Sequence, residues 1–419
     1  MTFRSTLGAS GSALQHDRKP PFRIRPARTT TDISDLKHRV HSMAADALNP
    51  PETISTKKSL PSLTAGRGIA ALIVALHHAT DFWGGPLAPL GNVGWLGVSY
   101  FYLLSGFVLT WTFRPDAKHS TFYINRIARI YPLHVATLIA AIAGYFLVRA
   151  PFGGYIGTPL GTIASLFLIH DWIPAHPAIR QGWNGVSWSL SAEAFFYVLA
   201  PFLIKGLSKM QTRRLGDVCI FLYFANLAFG AIAGELNLPN IMDFLIYSPL
   251  ARLPEFIYGA CAGLLFIRGA RFAVTNGARY LFFLPIPIYY TYAHGAINPV
   301  IMTDMAVPAF LVFIMSGATR DVEHRAKHIL DAGFRAVGEA SYSLYMTHAL
   351  LLACFGWVIY KLKIHPNSFV AIAIFLGCSI LLALGVHRAF EQPARRWFLR
   401  IAAVFNNAER VGTIHSPER

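Results

Sequence analysis

An all-α, polytopic membrane bundle is the fold class this sequence predicts, and three observations predict it. Of 419 residues, 54% are hydrophobic and only 14% charged, with a mean hydropathy of +0.43. A soluble domain carries more charge than that. Apolar stretches recur at 67–82, 94–113, 131–149, 160–172, 187–205, 216–234, 249–267, 280–295, 299–317, 338–360 and 367–388. Basic residues fall in alternate connections between these stretches, the pattern that orients helices in a bilayer. The net charge of +16 is therefore read as topology and not as a nucleic-acid footprint, so no nucleic-acid partner is expected.

Residues 1–62 hold ten Lys and Arg against five Asp and Glu, with Ser, Thr and Pro between them and no apolar run. Such a segment cannot bury a core, and a disordered basic tail is expected. It lacks the contiguous apolar centre of a signal peptide. The stretch Arg18 to Arg28 is similar to a transit peptide, but Asp32 and Asp35 follow at once, and a start at Met43 would remove most of the tail. The membrane domain is expected over 63–400 and a short C-terminal tail over 401–419. All four cysteines (Cys219, Cys261, Cys354, Cys378) lie in apolar segments without a Cys-x-x-Cys spacing and read as small core residues. No metal is expected.

Loop charge sets the span count. The tail, 113–130, 205–214, 268–279, 318–337 and the C-terminus from Arg388 are basic, whereas 82–93, 235–248 and 295–298 contain no Lys or Arg. Segment 160–172 falls short of the roughly 20 residues that a spanning helix needs. If it stays re-entrant or interfacial, about ten transmembrane helices put every strongly basic loop inside, with both termini cytoplasmic in the inner (plasma) membrane. Arg149, Lys361 and Lys363 are exceptions to the pattern.

Span 1 carries Arg67 and, eleven positions on, His78; apart from His77, all residues between them are apolar or small. At about 100° per residue His78 returns to within about 20° of the face of Arg67, roughly 16 Å along the helix, while His77 points about 80° away. An ionisable residue inside a span is a functional-site hypothesis by default. On the expected topology Glu193, in Trp188-Ser-Leu-Ser-Ala-Glu193, reaches the same outer half as His78, with Tyr197 one turn below. A His78–Glu193 pair would orient the imidazole as a general base. The bland alternative is that each makes a structural hydrogen bond to a neighbouring helix.

Arg126 and Arg129, one turn apart beside the membrane, suit either a phosphate or pyrophosphate clamp or a lipid anchor. Ser341, Tyr345 and His348 fall at i, i+4 and i+7, a polar stripe that either lines a cavity or laces helices together. Arg252 and Glu255, at i and i+3, read as a structural ion pair. The small residues Gly94, Gly97, Ser105 and Gly106 read as sites of close helix approach.

Together these segments resemble the acyltransferase-3 family of integral-membrane acyltransferases over about residues 61–400. Arg67 and His78 match its opening Arg-x10-His, Ser105-Gly106-Phe107 its Ser-Gly-Phe, and Arg126-Ile-Ala-Arg129-Ile-Tyr131-Pro132 its Arg-x-x-Arg-Ile-Tyr-Pro. Trp188-Ser-Leu-Ser-Ala-Glu193, Ser341-Tyr-Ser-Leu-Tyr345-Met-Thr-His348 and Glu391-Gln-Pro393-Ala-Arg395 match its later motifs. Thr64-Ala65-Gly66 stands where the family usually has Asp-Gly-Leu. The resemblance implies acyl transfer, usually acetyl from cytoplasmic acetyl-CoA (or another acyl-CoA), to a hydroxyl of a cell-surface or exported carbohydrate. His78 would then be the base or the acyl carrier, with Glu193 and Arg67 beside it and Arg126 and Arg129 on the donor. Both the direct and the acyl-enzyme routes remain open, as does an acceptor such as a macrolide.

A proton-coupled transporter is the rival class, because buried His, Glu and Tyr also build proton relays. Against it, no pair of spans shows the Gly/Pro-broken helices in corresponding halves that inverted repeats produce. The expected topology has a direct test. In a background without the native cysteines, single cysteines at Ala175 and Lys209 label from opposite sides with an impermeant thiol reagent. Labelling from one side would remove the ten-span arrangement.

Overall fold

The structure is a computed structural model that describes residues 59–148, 157–172, 183–236, 238–272, 281–292, 298–323 and 329–414, with isolated positions between them. The chain divides into units 1–56 and 57–419, and all the described helices belong to the second. The expected tail lies, up to residue 58, outside the described residues, as does Ala175.

The described residues form helices and no strand. In chain order these are α1 (Pro61–Trp83), α2 (Ala88–Gly91), α3 (Leu96–Thr112), α4 (His119–Val148) and α5 (Pro159–Leu166). A 3-10 turn, Gly185–Ser187, leads into α6 (Trp188–Ser208). There follow α7 (Thr212–Glu235), α8 (Pro239–Tyr247), α9 (Pro249–Ile267), α10 (Pro285–Tyr292), α11 (Pro299–Val322) and α12 (Ile329–Glu339). The last are α13 (Ser341–Leu362), α14 (Ser368–Val386) and, after a π turn at His387–Glu391, α15 (Gln392–Ile414). The expected tail at 401–419 is thus helical as far as Ile414.

Among the described residues, eight helical stretches are long and apolar enough to cross a membrane, and they cover eight of the ten expected spans. With 23 residues α1 has the length of a span too, its apolarity diluted by Arg67, His77, His78 and Asp81. The stretch expected to span at 280–295 holds, among the described residues, the eight-residue helix α10. The suspect segment 160–172 forms α5, eight residues long and too short to cross. Leu160, Ile163 and Phe167 face outwards there, while His170 and Asp171 are fully buried. Burial lowers the His170 pKa to about 3, and its neutral ring lies 3.3 Å from the Ser187 hydroxyl, tying the segment to the start of α6. Large apolar side chains such as Ile220, Phe221, Phe224 and Phe229 of α7 are exposed, as lipid-facing residues are.

Contacts between helix ends sort the bundle into two ends. Arg268, after α9, donates to the Ser208 and Met210 carbonyls between α6 and α7 at 3.0 and 2.7 Å. The Ser62 amide and hydroxyl, opening α1, donate to the Asp321 carboxylate of α11 at 2.9 and 2.6 Å. The Phe272 amide donates to Thr319 Oγ1 at 3.1 Å, so the basic connections 205–214 and 268–271 share one end with 318–323 and the start of α1. At the opposite end Ser368 donates to the Trp83 carbonyl at 2.8 Å, and the Asn298 amide donates to the Gly230 carbonyl at 2.8 Å.

Backbone closeness fixes the centre. A Cβ on Gly259 of α9 would collide with the Leu103 carbonyl oxygen of α3, and one on Gly106 with the Phe256 carbonyl oxygen. The small residues of α3 thus serve close approach, here to α9, with Gly97 doing the same against the Ala70 carbonyl of α1. Gly338 of α12 sits against the Thr64 carbonyl in the same manner. Gly259→Ala forces two backbones apart and is expected to destabilise by about 1–3 kcal/mol, an overpacking cost. Gly206→Ala, with open space around the added methyl, is tolerated. Thermal unfolding in detergent checks both, and equal melting temperatures would contradict this packing.

Candidate functional site

Between α1, α3, α4, α6 and α13 lies a cavity of about 290 Å³. Its charged lining is Arg67, Arg126, Arg129 and Glu193, with hydroxyls from Ser105, Ser189, Tyr197, Ser341 and Tyr345. Apolar side chains such as Val98, Leu104 and Leu109 supply much of the remaining wall.

Glu193 and Tyr197 are one turn apart on α6, so both face the cavity. The Ser105 hydroxyl of α3 donates to Glu193 Oε1 at 2.9 Å, and the Tyr197 hydroxyl donates to the same oxygen. Two donors on one carboxylate oxygen hold Glu193 as an acceptor in the cavity wall. The Arg126 guanidinium lies over the Tyr197 ring at 5.8 Å and over Phe122 at 5.9 Å. Aromatic faces of this kind stabilise a cation removed from water.

Histidine 78 stands elsewhere. Its ring is 5.0 Å from His77 and 5.3 Å from His348 of α13, and it does not line the cavity. The expected His78–Glu193 pair is therefore absent from the geometry, and the physical reason is axial. Helices α1 and α13 run in the same direction, so Arg67 meets the level of Ser341 while His78 meets that of His348. Glu193 joins the Arg67 level. His348 is fully buried; its Nδ1–H donates to the Leu344 carbonyl at 3.1 Å, leaving Nε2 without a partner among the described residues.

Tyr345 separates the two groups. It forms part of the cavity wall, and its ring lies 5.8 Å from His348 and 6.2 Å from Phe101. Its hydroxyl is 2.6 Å from Ser189 Oγ and donates to the Val186 carbonyl at 2.9 Å. Of the α13 stripe, Ser341 and Tyr345 line the cavity and His348 backs His78, so the stripe both lines a cavity and joins helices. Trp188 packs edge-on against Tyr247 at 5.1 Å and stays outside the cavity.

Arg252 and Glu255 form the expected ion pair at 3.1 Å, with Arg252 also donating to Ser99 Oγ at 2.8 Å and lying over the Tyr102 ring at 5.4 Å. Both are buried and neither lines the cavity. Ser105 was expected mainly to pack, and its bond to Glu193 gives it a polar role as well; only the facing carboxylate reveals that. The π turn positions another group that spacing alone does not show. Glu391 accepts from Ser343 Oγ at 2.6 Å and from His387 Nδ1–H at 2.9 Å, joining the late motif of α13 to the closing one.

Comparison with known proteins bears on this site. Residues 60–388 match the profile described as an acyltransferase domain. The chain is 30% identical to Acyltransferase MdmB of Streptomyces mycarofaciens over 83% of this chain and 93% of that protein. It is 26% identical to the putative acetyltransferase ORF330 of Acidianus two-tailed virus, over 82% of this chain and 93% of that one. A shorter match, 25% over 38% of this chain and 26% of the relative, is to the peptidoglycan O-acetyltransferase OatA of Listeria monocytogenes. No solved structure matches the chain.

Proposed function

Because the chain belongs to the acyltransferase-3 family, and is therefore a membrane O-acyltransferase, we propose that it moves an acyl group, acetyl in the simplest case, from acyl-CoA to a hydroxyl of a cell-surface or exported carbohydrate. The observation that carries this reading is the cavity in which three arginines and Glu193 converge, closed at one side by Tyr345 with the His348–His78 pair behind it. Membership of an enzyme family also removes the ground for the transporter alternative.

The basic end of the bundle is taken as cytoplasmic by the positive-inside rule, which puts both termini inside and the membrane as the inner (plasma) one. Arg126 and Arg129 then present two guanidiniums where the phosphates of CoA arrive. Such forks bind phosphate bidentately. The apolar wall beyond them suits the acyl-bearing arm, and the thioester comes to rest toward Tyr345. The acceptor approaches from the opposite side, where His78 lies.

His78 removes the proton from the acceptor hydroxyl as its oxygen attacks the thioester carbon. The tetrahedral intermediate expels the CoA thiolate, which takes up the proton; an ester and free CoA leave. His348 supports this role by packing its ring 5.3 Å from that of His78, which limits how the imidazole can turn. Arg67 is the cation nearest the developing oxyanion, and Glu193 balances it while holding Ser105 and Tyr197 in place. Acylation of His78 itself is the other route to the same products. The carbohydrate acceptor is favoured because relatives from Listeria monocytogenes and Bacillus subtilis carry the name peptidoglycan O-acetyltransferase, the latter as putative.

His78→Ala is expected to cut acyl transfer by at least about 100-fold, the usual worth of a general base. His77→Ala keeps at least partial activity, because it points off the shared face. Comparable losses in two well-inserted variants would remove the assignment.

For the donor side, the double variant Arg126→Ala/Arg129→Ala should raise the apparent KM for acetyl-CoA about tenfold or more, from loss of charge-assisted hydrogen bonds. The acceptor KM stays nearly constant. An unchanged donor KM returns these arginines to a lipid-anchoring role.

A further inference from the structure

At the end of α1 away from the basic connections, three side chains converge that the mechanism uses only in part. His77 Nδ1 lies 2.9 Å from the Gly91 carbonyl oxygen, which can only accept, so Nδ1 carries a proton. In the neutral ring Nε2 is then a lone pair, and it faces Asp81 Oδ2 at 3.5 Å. That nitrogen and that carboxylate oxygen are thus two donor atoms that one metal cation can share. His78 supplies a third donor atom, and the three ligand atoms all lie within 4.8 Å of one another. Behind His78 stands His348, fully buried, with its Nε2 unpartnered.

We infer that His77, His78 and Asp81 bind one divalent transition-metal ion of the zinc class, and that this ion shuts off acyl transfer by occupying the His78 lone pair. The inhibitory half rests on His78 being the base; the binding half does not. Contrary to the sequence expectation of no metal, the donor set fits. Two imidazoles and a carboxylate with an open fourth position are a known zinc arrangement. Imidazole ligands suit zinc, copper or nickel, whereas calcium and magnesium take oxygen ligands. At zinc–ligand distances near 2.0 Å, tetrahedral donors stand about 3.3 Å apart. The His77–Asp81 separation already meets that spacing, and small side-chain rotations bring in His78. The Gly91 carbonyl behind His77 is the outer-shell acceptor that fixes a ligating tautomer. Access is open, because the Asp81 side chain is 52% exposed and that of His77 19%.

The site also accounts for the order of residues along α1. The i, i+4 spacing of His77 and Asp81 puts both on one face, and His78 turns toward α13 from the adjoining face. One ion can therefore bridge the exposed pair and the buried imidazole, so that ion supply outside the membrane controls a base within it.

The test uses the purified full chain in nanodiscs, stripped with EDTA and titrated with zinc by calorimetry and with cobalt by visible absorption. One ion per chain is expected for the unmodified protein, with affinity reduced at least about tenfold in Asp81→Asn and in His77→Gln. Zinc inhibits acyl transfer by the unmodified protein, EDTA restores it, and Asp81→Asn keeps its basal rate while escaping inhibition. Absence of binding, or binding that neither substitution weakens, overturns the site. Binding intact with no inhibition overturns the regulatory half alone. The base reading is judged separately, by His78→Ala turnover without added metal.

Discussion

A bilayer interior offers no hydrogen bonds, so every ionisable side chain on a spanning helix must find its partner inside the protein. Here that constraint binds helices to one another. Arg252 of α9 reaches Ser99 of α3 and pairs with Glu255; Asn226 of α7 donates to Asp304 of α11 at 2.9 Å; Ser105 of α3 donates to Glu193 of α6. With the polar groups spent on neighbours, glycine contacts bring the backbones of α3 and α9 together. Arg67, Arg126 and Arg129 instead line a cavity. Three guanidiniums around a space between spans call for an anion to enter it.

The parallel course of α1 and α13 arranges the chemistry in two levels. Arg67 and Ser341 occupy one, His78 and His348 the other, with Tyr345 between them. An acyl donor reaching the first level and an acceptor reaching the second meet at a wall one side chain thick. This geometry suits an enzyme whose substrates come from opposite faces of a membrane. On the proposed reading the two groups do different work: donor binding and charge stabilisation in the cavity, proton handling at the imidazole pair. The pair is also the part of the site nearest His77 and Asp81, the other two members of the proposed metal site.

Much of the fold was legible in the sequence, because apolar length and loop charge report directly on the bilayer. The short segment at 160–172 was recognised from its length together with loop charge, and α5 proved too short to cross. The ion pair of Arg252 and Glu255 was legible too, since i and i+3 positions meet on any helix. The partner of His78 was not. Placing Glu193 and His78 in the same half of the membrane gave a plausible pair, but depth counted along separate helices carries errors of a turn or more. Only the packing of α1 against α13 put His348 within reach. The same blindness hid the second role of Ser105, and it hid the approach of the Gly91 carbonyl to His77 Nδ1. Motif spacing names residues; it does not state which atoms face each other.

On the proposed reading, the arginine-lined cavity receives the acyl donor and delivers its carbonyl to the imidazole pair. A cryo-electron-microscopy structure of the full chain in nanodiscs with a non-cleavable ketone analogue of acetyl-CoA tests this most directly. Phosphate density is expected on Arg126 and Arg129, with the arm within the cavity and the ketone carbon at Tyr345 on the side toward His348 and His78. Density for the analogue outside this cavity, or a ketone carbon at the far end from Tyr345, would contradict that reading.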